Sequence, residues 1–475
     1  MKYEVIIGLE IHVETKTKTK MFSGASSNFE SPANTNVSVI DMAFPGTMPA
    51  VNKKAVENAI MLSSALNMTI DHELHFDRKN YFYSDLPKGF QITQERRPIG
   101  SNGYIEIALE NGTKRINIER LHMEEDTAKQ IHLAEFTLID YNRAGLPLVE
   151  IVTKPDIRSG EEAMAFVEAI REIVTFTGVS DGKMEEGSLR CDVNISLRPI
   201  GSQKFGTKVE VKNLNSISNI GKVIDAEIKR QSKLLDEGSI ILSETRRYDE
   251  TLKDTVLMRL KDNAIDYKYF PDGNIAPITL HEEYVQKVIK GMPELPNTKR
   301  ERYKNAFKLN NHEINIILQS KDLTLYFDEG TLLTKNYKTL INFIIGELSA
   351  YLNKEGKTLK DIALTPQKLA KLVDLVSEGK LSNAQAREVF GHIVMTNIDP
   401  ETKAKELNLV QVSDTDFILK VINEVIDENL SVIDDIKNGK DRAMGFLVGQ
   451  VMKKTGGKVN PALASSLMKQ EINKR

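Results

Sequence analysis

The opening segment of the chain alternates apolar and polar side chains with a period of two. Every odd-numbered position from 5 to 13 is Val, Ile or Leu, whereas Glu10, His12 and Glu14 occupy the opposite face. Strict alternation of this kind predicts a half-buried β-strand. Because the polar face of such a strand is free to carry a site, the row of two carboxylates and one imidazole is a candidate for chemistry.

The same alternation recurs up to residue 292, with turn signals such as Asn111-Gly112 between the segments. Further alternating segments cover residues 104–109, 116–123, 190–198 and 208–212, and helical patterns cover residues 52–66, 160–175 and 220–235. This mixture predicts an α+β domain over residues 1–292, built on a mixed or antiparallel sheet that has one polar face.

A change of period marks the predicted end of this domain. The segment Met292-Pro293-Glu294-Leu295-Pro296 has the composition of a linker. Beyond it apolar residues recur at helical spacing, as in the helix that Thr365-Pro366 begins. We therefore predict an all-helical domain over residues 293–405. A weaker boundary near residue 405 predicts a small helical tail domain over residues 406–475.

Composition narrows the class of protein. The chain has 475 residues, a net charge of −3 and a single cysteine, Cys191, so a disulfide framework within the chain is excluded. No run approaches about 18 uninterrupted apolar residues, which predicts no membrane span, and a lone thiol fits a cytoplasmic location. We predict that Cys191 is a buried structural residue, because its neighbours in phase are apolar.

Basic residues are concentrated near the C-terminus. The residues predicted to contact a nucleic acid are Lys440, Arg442, Lys453, Lys454 and Lys458. A basic helical face suits a phosphate backbone. The alternative is a solvated tail whose lysines serve only solubility.

Three strand-like segments carry polar residues that would converge if the strands were neighbours. The candidate metal ligands are Glu10, His12, Glu124, Glu125, Asp192 and Asn194. Oxygen-rich ligation with a single nitrogen suits Mg²⁺, with Mn²⁺ as the second choice, better than it suits a structural zinc. Since Mg²⁺ commonly bridges carboxylates to substrate phosphates, these residues predict phosphate handling. The alternative is that each polar face is merely solvated.

Two further observations bear on nucleotide chemistry. The G-x-x-x-x-G-K-[ST], H-E-x-x-H, nucleophile-elbow and Rossmann glycine patterns are absent in a suitable context, so any ATP site must be of another kind. Residues 77–91 combine charges, three aromatic residues, proline and glycine. That composition is typical either of a functional loop or of an ordinary surface loop with packed aromatic rings.

Six motifs together resemble one family. They are GLEIHVE (residues 8–14), DRKNYFYSDLPKGFQ (77–91), LHMEEDTA (121–128), DYNRAGLPLVEIV (140–152), MEEGSLRCDVNIS (184–196) and EVKNLNSIS (210–218). In order and over nearly the whole chain, they resemble the B-subunit family of the heterotrimeric aspartyl/glutamyl-tRNA(Asn/Gln) amidotransferases, usually called GatB.

This resemblance implies a fold, an activity and a set of partners. The expected fold is a cradle domain, a helical domain and a tail that grips the tRNA body. The expected reaction is ATP- and Mg²⁺-dependent phosphorylation of the side-chain carboxylate of misacylated Glu-tRNA(Gln) or Asp-tRNA(Asn), followed by its amidation. The expected partners are a glutaminase A subunit, whose ammonia travels through an internal channel, and a small C subunit.

The resemblance also implies residue roles on the matching motifs. Glu10, Glu125 and Asp192 are the expected catalytic residues, and Glu125 is expected where the channel meets the acceptor site. The expected residues of the channel mouth are Lys79, Ser84, Asp85 and Lys88. A buried polar channel requires that its charges be paired.

One departure from the family concerns zinc. Many relatives carry two cysteine pairs in the loop after the first strand, whereas the corresponding positions here are Ser23, Ala25, Ser38 and Asp41. Because a structural zinc site of this kind needs soft thiolate ligands, we predict no zinc and a loop held by packing alone.

Two other functions remain open on the sequence. One is a non-enzymatic tRNA-binding scaffold whose acids only position a partner. The other is a freestanding metal-dependent phosphohydrolase, which would release phosphate from ATP without charged tRNA or partner subunits.

Overall fold

The chain folds into two compact units. The computed structural model describes residues 2–28, 31–261, 266–410, 415–437, 442–455 and 459–474. The units are Met1–Thr298 and Lys299–Arg475.

The first unit contains the strands and four helices. Its strands are β1 (Tyr3–Glu14), β2 (Thr69–Ile70), β3 (Glu73–Leu74), β4 (Asp77–Asn80), β5 (Phe90–Thr93), β6 (Gly100–Leu109), β7 (Gly112–Glu125), β8 (Lys129–His132), β9 (Thr137–Asp140), β10 (Pro147–Thr153), β11 (Leu189–Pro199), β12 (Val209–Leu214), β13 (Glu244–Asp249), β14 (Asp254–Leu260), β15 (Phe270–Pro271) and β16 (Ile278–Thr279). Its helices are α1 (Lys53–Ala65), α2 (Gly160–Thr177), α3 (Ile217–Asp236) and α4 (Glu282–Lys290).

A nine-stranded sheet forms the centre of this unit, in the order β14-β13-β12-β11-β1-β10-β7-β6-β2. Strand β1 lies in the middle and runs antiparallel to both β10 and β11. The β12–β13 pair is parallel, so the sheet is mixed. This confirms the predicted α+β class. The register places Glu10 opposite Asp192 and His12 opposite Glu150, which brings together residues that are far apart in the sequence.

Helices cover the apolar face of the sheet. The apolar residues of β1, such as Ile7 and Ile11, are fully buried in the resulting core. Helices α2 and α3 pack against each other, and their backbones meet at two glycines: a Cβ on Gly160 would lie 3.0 Å from the Cα of Gly221. Cys191 is buried as predicted, and burial raises the pKa of its thiol.

The second unit is helical. Its helices are α5 (Pro296–Ala306), α6 (Asn311–Leu318), α7 (Lys321–Thr331), α8 (Tyr337–Asn342), α9 (Ser349–Glu355), α10 (Pro366–Ser377), α11 (Asn383–Ile393), α12 (Pro400–Glu406), α13 (Thr415–Glu428), α14 (Leu430–Lys437), α15 (Arg442–Lys454) and α16 (Pro461–Lys474). A π-helical turn over Phe343–Leu348 joins α8 to α9, and a 3₁₀ turn covers Leu359–Asp361.

Helix starts in this unit follow the sequence signals. The side chain of Thr365 accepts a hydrogen bond from the Lys368 backbone N–H at the start of α10, with Pro366 at the first helical position. Helices α13 to α16 enclose an apolar core of their own, which includes Ile422 and Leu447. The division at residue 405 stays a prediction. Within the described part of the chain, none of the helices combines the length and apolar character needed to cross a membrane.

Candidate functional site

The polar face of the central sheet gathers charged residues from five adjacent strands. Side chains alternate between the faces of a strand, so the residues in phase with Glu10 share its face. They are His12 and Glu14 on β1, His122 and Glu124 on β7, Glu150 on β10, Arg190, Asp192 and Asn194 on β11, and Glu210 and Lys212 on β12. The predicted convergence of distant polar strands is therefore present in the sheet, and it produces two clusters.

The first cluster, here called the histidine–carboxylate cluster, consists of His12, His122, Glu124 and Glu150. The His12 Nε2 atom lies 3.4 Å from Glu150 Oε2 and 3.9 Å from Glu124 Oε1. The His122 Nε2 atom lies 3.3 Å from Glu150 Oε2 and 3.5 Å from Glu124 Oε2. Two imidazoles and two carboxylates thus face one another across three strands.

The pKa values of both imidazoles in this cluster are raised. Burial opposes a charge on His122, but the Glu150 and Glu124 carboxylates outweigh it and raise the His122 pKa to about 9. The same two acids raise the pKa of His12 against burial. Burial acts to raise the pKa of Glu150, yet the two imidazoles hold it well below its usual range. Glu150 is therefore ionised near neutral pH and lies beside imidazolium charge.

The second cluster, here called the lysine–carboxylate cluster, consists of Glu10, Asp192, Asn194, Glu210 and Lys212. Lys212 Nζ lies 2.6 Å from Asp192 Oδ2 and 3.3 Å from Glu210 Oε1. The Asn194 amide donates to Glu10 Oε1 at 2.8 Å. Burial opposes charge on the Lys212 amine, but the adjacent carboxylates raise its pKa. This cluster is an acidic site with a built-in cation.

A second lysine completes this cluster from the edge strand of the sheet. Lys261, just after β14, places its Nζ 2.8 Å from Glu210 Oε2. Burial tends to raise the pKa of Glu210, but the two lysines lower it to about 2. Glu210 therefore stays ionised across the physiological range.

Both clusters have the donor chemistry of a divalent-cation site. In the first cluster, three ligand atoms, one from each of His12, Glu124 and Glu150, lie within 4.8 Å of one another. In the second cluster, the same is true of one ligand atom from each of Glu10, Asp192 and Glu210. The second set is all oxygen, and the first is oxygen with one imidazole nitrogen. Both sets suit Mg²⁺ or Mn²⁺ and lack the thiolates of a structural zinc site.

Sequence reasoning missed two of these residues, Glu150 and Glu210. Glu150 interrupts an apolar run, Leu148–Val152, and a lone carboxylate in a buried strand was a usable signal. Glu210 alternates with Lys208 and Lys212, which resembles a solvated strand. Only the pairing of Glu210 opposite Asn194 shows that it belongs to the lysine–carboxylate cluster.

Glu125 requires a correction. The sequence analysis grouped it with the metal ligands, but it lies next to Glu124 on one strand, so its side chain points to the opposite face. There its carboxylate forms a buried ion pair with Lys88 and accepts the Ile92 backbone N–H at 3.0 Å. Gln91 donates to the Glu125 backbone carbonyl at 2.7 Å. The structure therefore separates Glu125 from Glu10 and Asp192.

A third charged group, which contains the acids Glu14 and Asp126, lies at the end of the polar face. Arg190 Nη2 donates to Asp126 Oδ2 at 2.8 Å, and Arg143 Nε lies 3.8 Å from the same oxygen. Glu14 belongs to this group: burial and then the negative charge of Asp126 raise the Glu14 pKa to about 8. The Arg190 charge keeps the pKa of Asp126 low despite its burial.

Of the expected channel-mouth residues, Lys79 lies on strand β4, and Ser84, Asp85 and Lys88 lie on the loop that joins β4 to β5. Lys79 Nζ lies 4.9 Å from the ring centroid of Tyr267. The Ser84 hydroxyl accepts a hydrogen bond from Gln130 at 3.1 Å. Asp85 Oδ1 is buried and finds no hydrogen-bond partner among the described residues.

The loop after β1, for which packing alone was predicted, is held by a buried ion pair. Lys20 is fully buried, and its Nζ lies 3.3 Å from Asp41 Oδ2 and 3.2 Å from the Tyr141 backbone carbonyl. The Ser38 backbone N–H donates to Asp41 Oδ2 at 2.8 Å. The expectation of packing alone was thus wrong, because one of the substituted cysteine positions, Asp41, anchors the loop through charge.

Two other substituted positions, Ser23 and Ala25, contact each other locally: the Ser23 hydroxyl accepts the Ala25 backbone N–H at 3.3 Å.

In the tail, Lys453 is exposed, whereas Lys454 Nζ lies 2.6 Å from Glu428 Oε1. Lys440 and Lys458 lie outside the described residues. Arg442 begins helix α15.

Comparisons with known proteins agree over the whole chain. A family model described as the GatB/GatE catalytic domain matches residues 5–286, and one described as the GatB domain matches residues 325–472. The aspartyl/glutamyl-tRNA(Asn/Gln) amidotransferase subunits B of Oceanobacillus iheyensis and Bacillus cytotoxicus are each 48% identical to it over 476 residues, covering all of both chains. That of Bacillus mycoides is also 48% identical, over 475 residues.

The ion pair in the loop can be tested by stability. Asp41→Asn leaves the Lys20 ammonium buried without its counter-charge, and we expect a loss of about 3–5 kcal/mol in the free energy of unfolding, measured with urea. The double variant Lys20→Met/Asp41→Leu removes both charges and should be more stable than Asp41→Asn. Equal loss in both variants would contradict the account. A chelator should leave the differences in free energy of unfolding between the wild type and these two variants unchanged.

The histidine–carboxylate cluster predicts a pH dependence of stability in chelator-treated protein. The folded pKa of His122, about 9, lies above its unfolded value, so its stabilisation is full below about pH 6.5 and is lost as pH rises to about 9. The difference corresponds to roughly 3 kcal/mol. Between about pH 6.5 and 9, the free energy of unfolding of His122→Asn, measured with denaturant, should therefore fall less steeply than that of the wild type. The control His132→Asn, in an exposed hairpin, should follow the wild type. Parallel slopes in all three proteins would refute this.

Proposed function

The chain belongs to the GatB family, and from that membership we propose that it is the B subunit of an enzyme that amidates misacylated tRNA. With a glutaminase A subunit and a small C subunit, it would convert Glu-tRNA(Gln) or Asp-tRNA(Asn) to the amidated form in the cytoplasm. ATP would supply the driving force. The observation that carries the proposal is the pair of oxygen-rich clusters on one sheet face.

The chemistry of the reaction explains why such a face is needed. A side-chain carboxylate does not react with ammonia until it has a leaving group, and phosphorylation by ATP supplies one. Bound Mg²⁺ would neutralise charge on the transferring phosphoryl group. Positioning and charge stabilisation then suffice, and no protein nucleophile is required.

Each cluster would hold one divalent cation. His12, Glu124 and Glu150 would supply ligands for the first, and Glu10, Asp192 and Glu210 for the second. The Asn194 amide orients Glu10 through its hydrogen bond. Lys212 and Lys261, which contact the carboxylates of the second cluster, would turn to phosphate oxygens once a cation takes over their place.

Glu125 would act from the other face of strand β7. Its ion pair with Lys88 is buried, and Asp85 contributes a buried oxygen that finds no partner among the described residues. We propose that Lys79, Ser84, Asp85 and Lys88 border the route by which ammonia arrives. Glu125 would accept a proton from ammonium at the end of that route. The loop after β1, anchored by Lys20 and Asp41, would support this region without a metal.

The proposal predicts a selective loss of amidation. In the purified three-subunit complex, Glu210→Gln and Glu150→Gln each remove one metal-ligating oxygen, and we expect at least a hundredfold lower rate of ammonia-supported amidation of Glu-tRNA(Gln). The affinity for the tRNA should remain within about twofold, because neither residue is assigned to tRNA binding. The matched control is Glu106→Gln, an exposed carboxylate on strand β6 of the same sheet.

Other results would favour the alternatives. Undiminished amidation in both cluster variants would leave a tRNA-binding scaffold as the function. Release of phosphate from ATP by this chain alone, without charged tRNA, would favour a phosphohydrolase. Titration of Mn²⁺, followed by electron paramagnetic resonance, should show one site fewer in each variant, which links the lost rate to the lost metal.

The tail is the proposed grip on the tRNA body. Removing residues 412–475 should weaken tRNA binding and reduce its dependence on salt, because fewer counterions are released. Mn²⁺ binding should persist. Within the tail, Lys453→Gln should weaken binding more than Lys454→Gln, because Lys454 is already paired with Glu428. Unchanged affinity and salt slope in the truncated protein would contradict this assignment, which filter binding at several salt concentrations can decide.

A further inference from the structure

A row of four tyrosines lies beside the acidic face. In order along the row they are Tyr83, Tyr81, Tyr267 and Tyr269, and the distances between neighbouring ring centroids are 6.2, 5.9 and 6.0 Å. Neighbouring rings are inclined by 61 to 72°, the edge-to-face arrangement that aromatic quadrupoles favour. The row is therefore a continuous aromatic surface.

The backbone holds this row in place. Strands β15 and β4 pair with Phe270 opposite Arg78, so the segment before β15 runs next to the segment after β4. The Asn80 backbone N–H donates to the Tyr267 carbonyl at 3.0 Å, and the Asn80 side-chain amide donates to the Lys268 carbonyl at 2.8 Å. Two segments almost 200 residues apart in sequence are thus fixed to each other where their tyrosines meet.

The row extends from the acidic site towards solvent. Strand β5, which pairs with β4, carries Thr93, whose hydroxyl lies 3.4 Å from Glu124. The Tyr81 hydroxyl lies 3.5 Å from Gln91 Oε1 on the same strand, so Tyr81 is the member of the row that lies against β5, beside the histidine–carboxylate cluster. Its neighbour in the row, Tyr83, is 61% exposed.

The exposed end of the row is unusually apolar for a protein surface. Phe82, beside Tyr83, is 89% exposed, and a Cβ on Gly89 would approach its ring to 3.2 Å. Exposed aromatic surface next to a polar site marks an interaction surface more often than it marks simple packing. Aromatic rings that border a phosphate-handling site are suited to stack nucleobases.

A lysine supplies the charge that such a ligand requires. Lys79 Nζ lies 4.9 Å from the ring centroid of Tyr267 and 5.8 Å from that of Tyr81. A cation against the ring faces can contact the phosphate of a nucleotide whose base lies on the rings. The row and Lys79 therefore offer both halves of a nucleotide-binding surface.

We propose that the tyrosine row stacks the 3′-terminal nucleobase of the charged tRNA. The inference rests on the proposed function and adds the position of the acceptor end. The amino acid is esterified to the terminal ribose, so a base held on the row lets the attached side-chain carboxylate reach the adjacent acidic clusters. A row that runs from solvent to those clusters fits a long substrate inserted by its end, and this favours the tRNA terminus over the adenine of ATP.

The test combines a shortened tRNA with ring substitutions in the purified complex. Binding is measured by filter retention for intact tRNA(Gln) and for the same tRNA without its terminal adenosine. In the wild type the missing nucleotide should weaken binding about tenfold. In Tyr267→Leu the intact tRNA should bind about tenfold more weakly, and removal of the nucleotide should then change little. Tyr267→Phe keeps the ring and should behave as the wild type.

Two further variants test whether the effect is specific to the row. Tyr83→Leu alters the most exposed ring of the row and should give a smaller effect in the same direction. Phe205→Leu changes an aromatic residue that is 57% exposed and lies outside the row, and it should leave the effect of truncation unchanged. An equal effect of truncation in wild type and both row variants overturns the inference. So does a raised KM for ATP in Tyr267→Leu with unaltered tRNA binding, which would assign the row to the adenine of ATP.

Failure of the two proposals can be distinguished. If the wild-type complex binds tRNA(Gln) and amidates it, but Tyr267→Leu responds to truncation as the wild type does, only the acceptor-end inference falls. If the wild-type complex binds no tRNA, the proposed function falls and the inference falls with it.

Discussion

The candidate site depends on charge balance on a sheet face from which water is largely excluded. Buried carboxylates without a counter-charge would take up protons, because burial disfavours their ionised form. In this protein two imidazoles balance one set of acids, and lysines balance the other. Glu150 and Glu210, whose pKa values this balance lowers, therefore stay ionised, and each cluster keeps an anionic oxygen for a cation that replaces the balancing charge.

The local features of the fold could be predicted from the sequence. Alternation along β1 identified the polar face of the sheet, and Thr365-Pro366 marked the start of a helix. Both signals arise from residues a few positions apart, where side-chain direction and capping act directly on the backbone. The predicted boundary at residue 292 stays a prediction, and the first compact unit of the structure ends at Thr298.

The composition of each cluster could be predicted only in part. Glu150 and Glu210 were missed, because strand pairing over long separations decides which acids meet, and register is not visible in a single segment. Glu125 was misplaced for a different reason. The strand was predicted to end at residue 123, whereas β7 continues to Glu125, so the rule that neighbours face opposite ways was not applied and the motif was treated as one acidic group. Lys20 carried no signal at all until its burial beside Asp41 was seen.

The opposite orientation of Glu124 and Glu125 has a consequence for how this region can evolve. One strand serves as a partition, with metal-type ligands on one side and the Lys88 ion pair on the other. A substitution on β7 alters one compartment only, but the insertion or loss of a single residue would transpose the two compartments. Selection should therefore act on the length of this strand as strongly as on its charged residues.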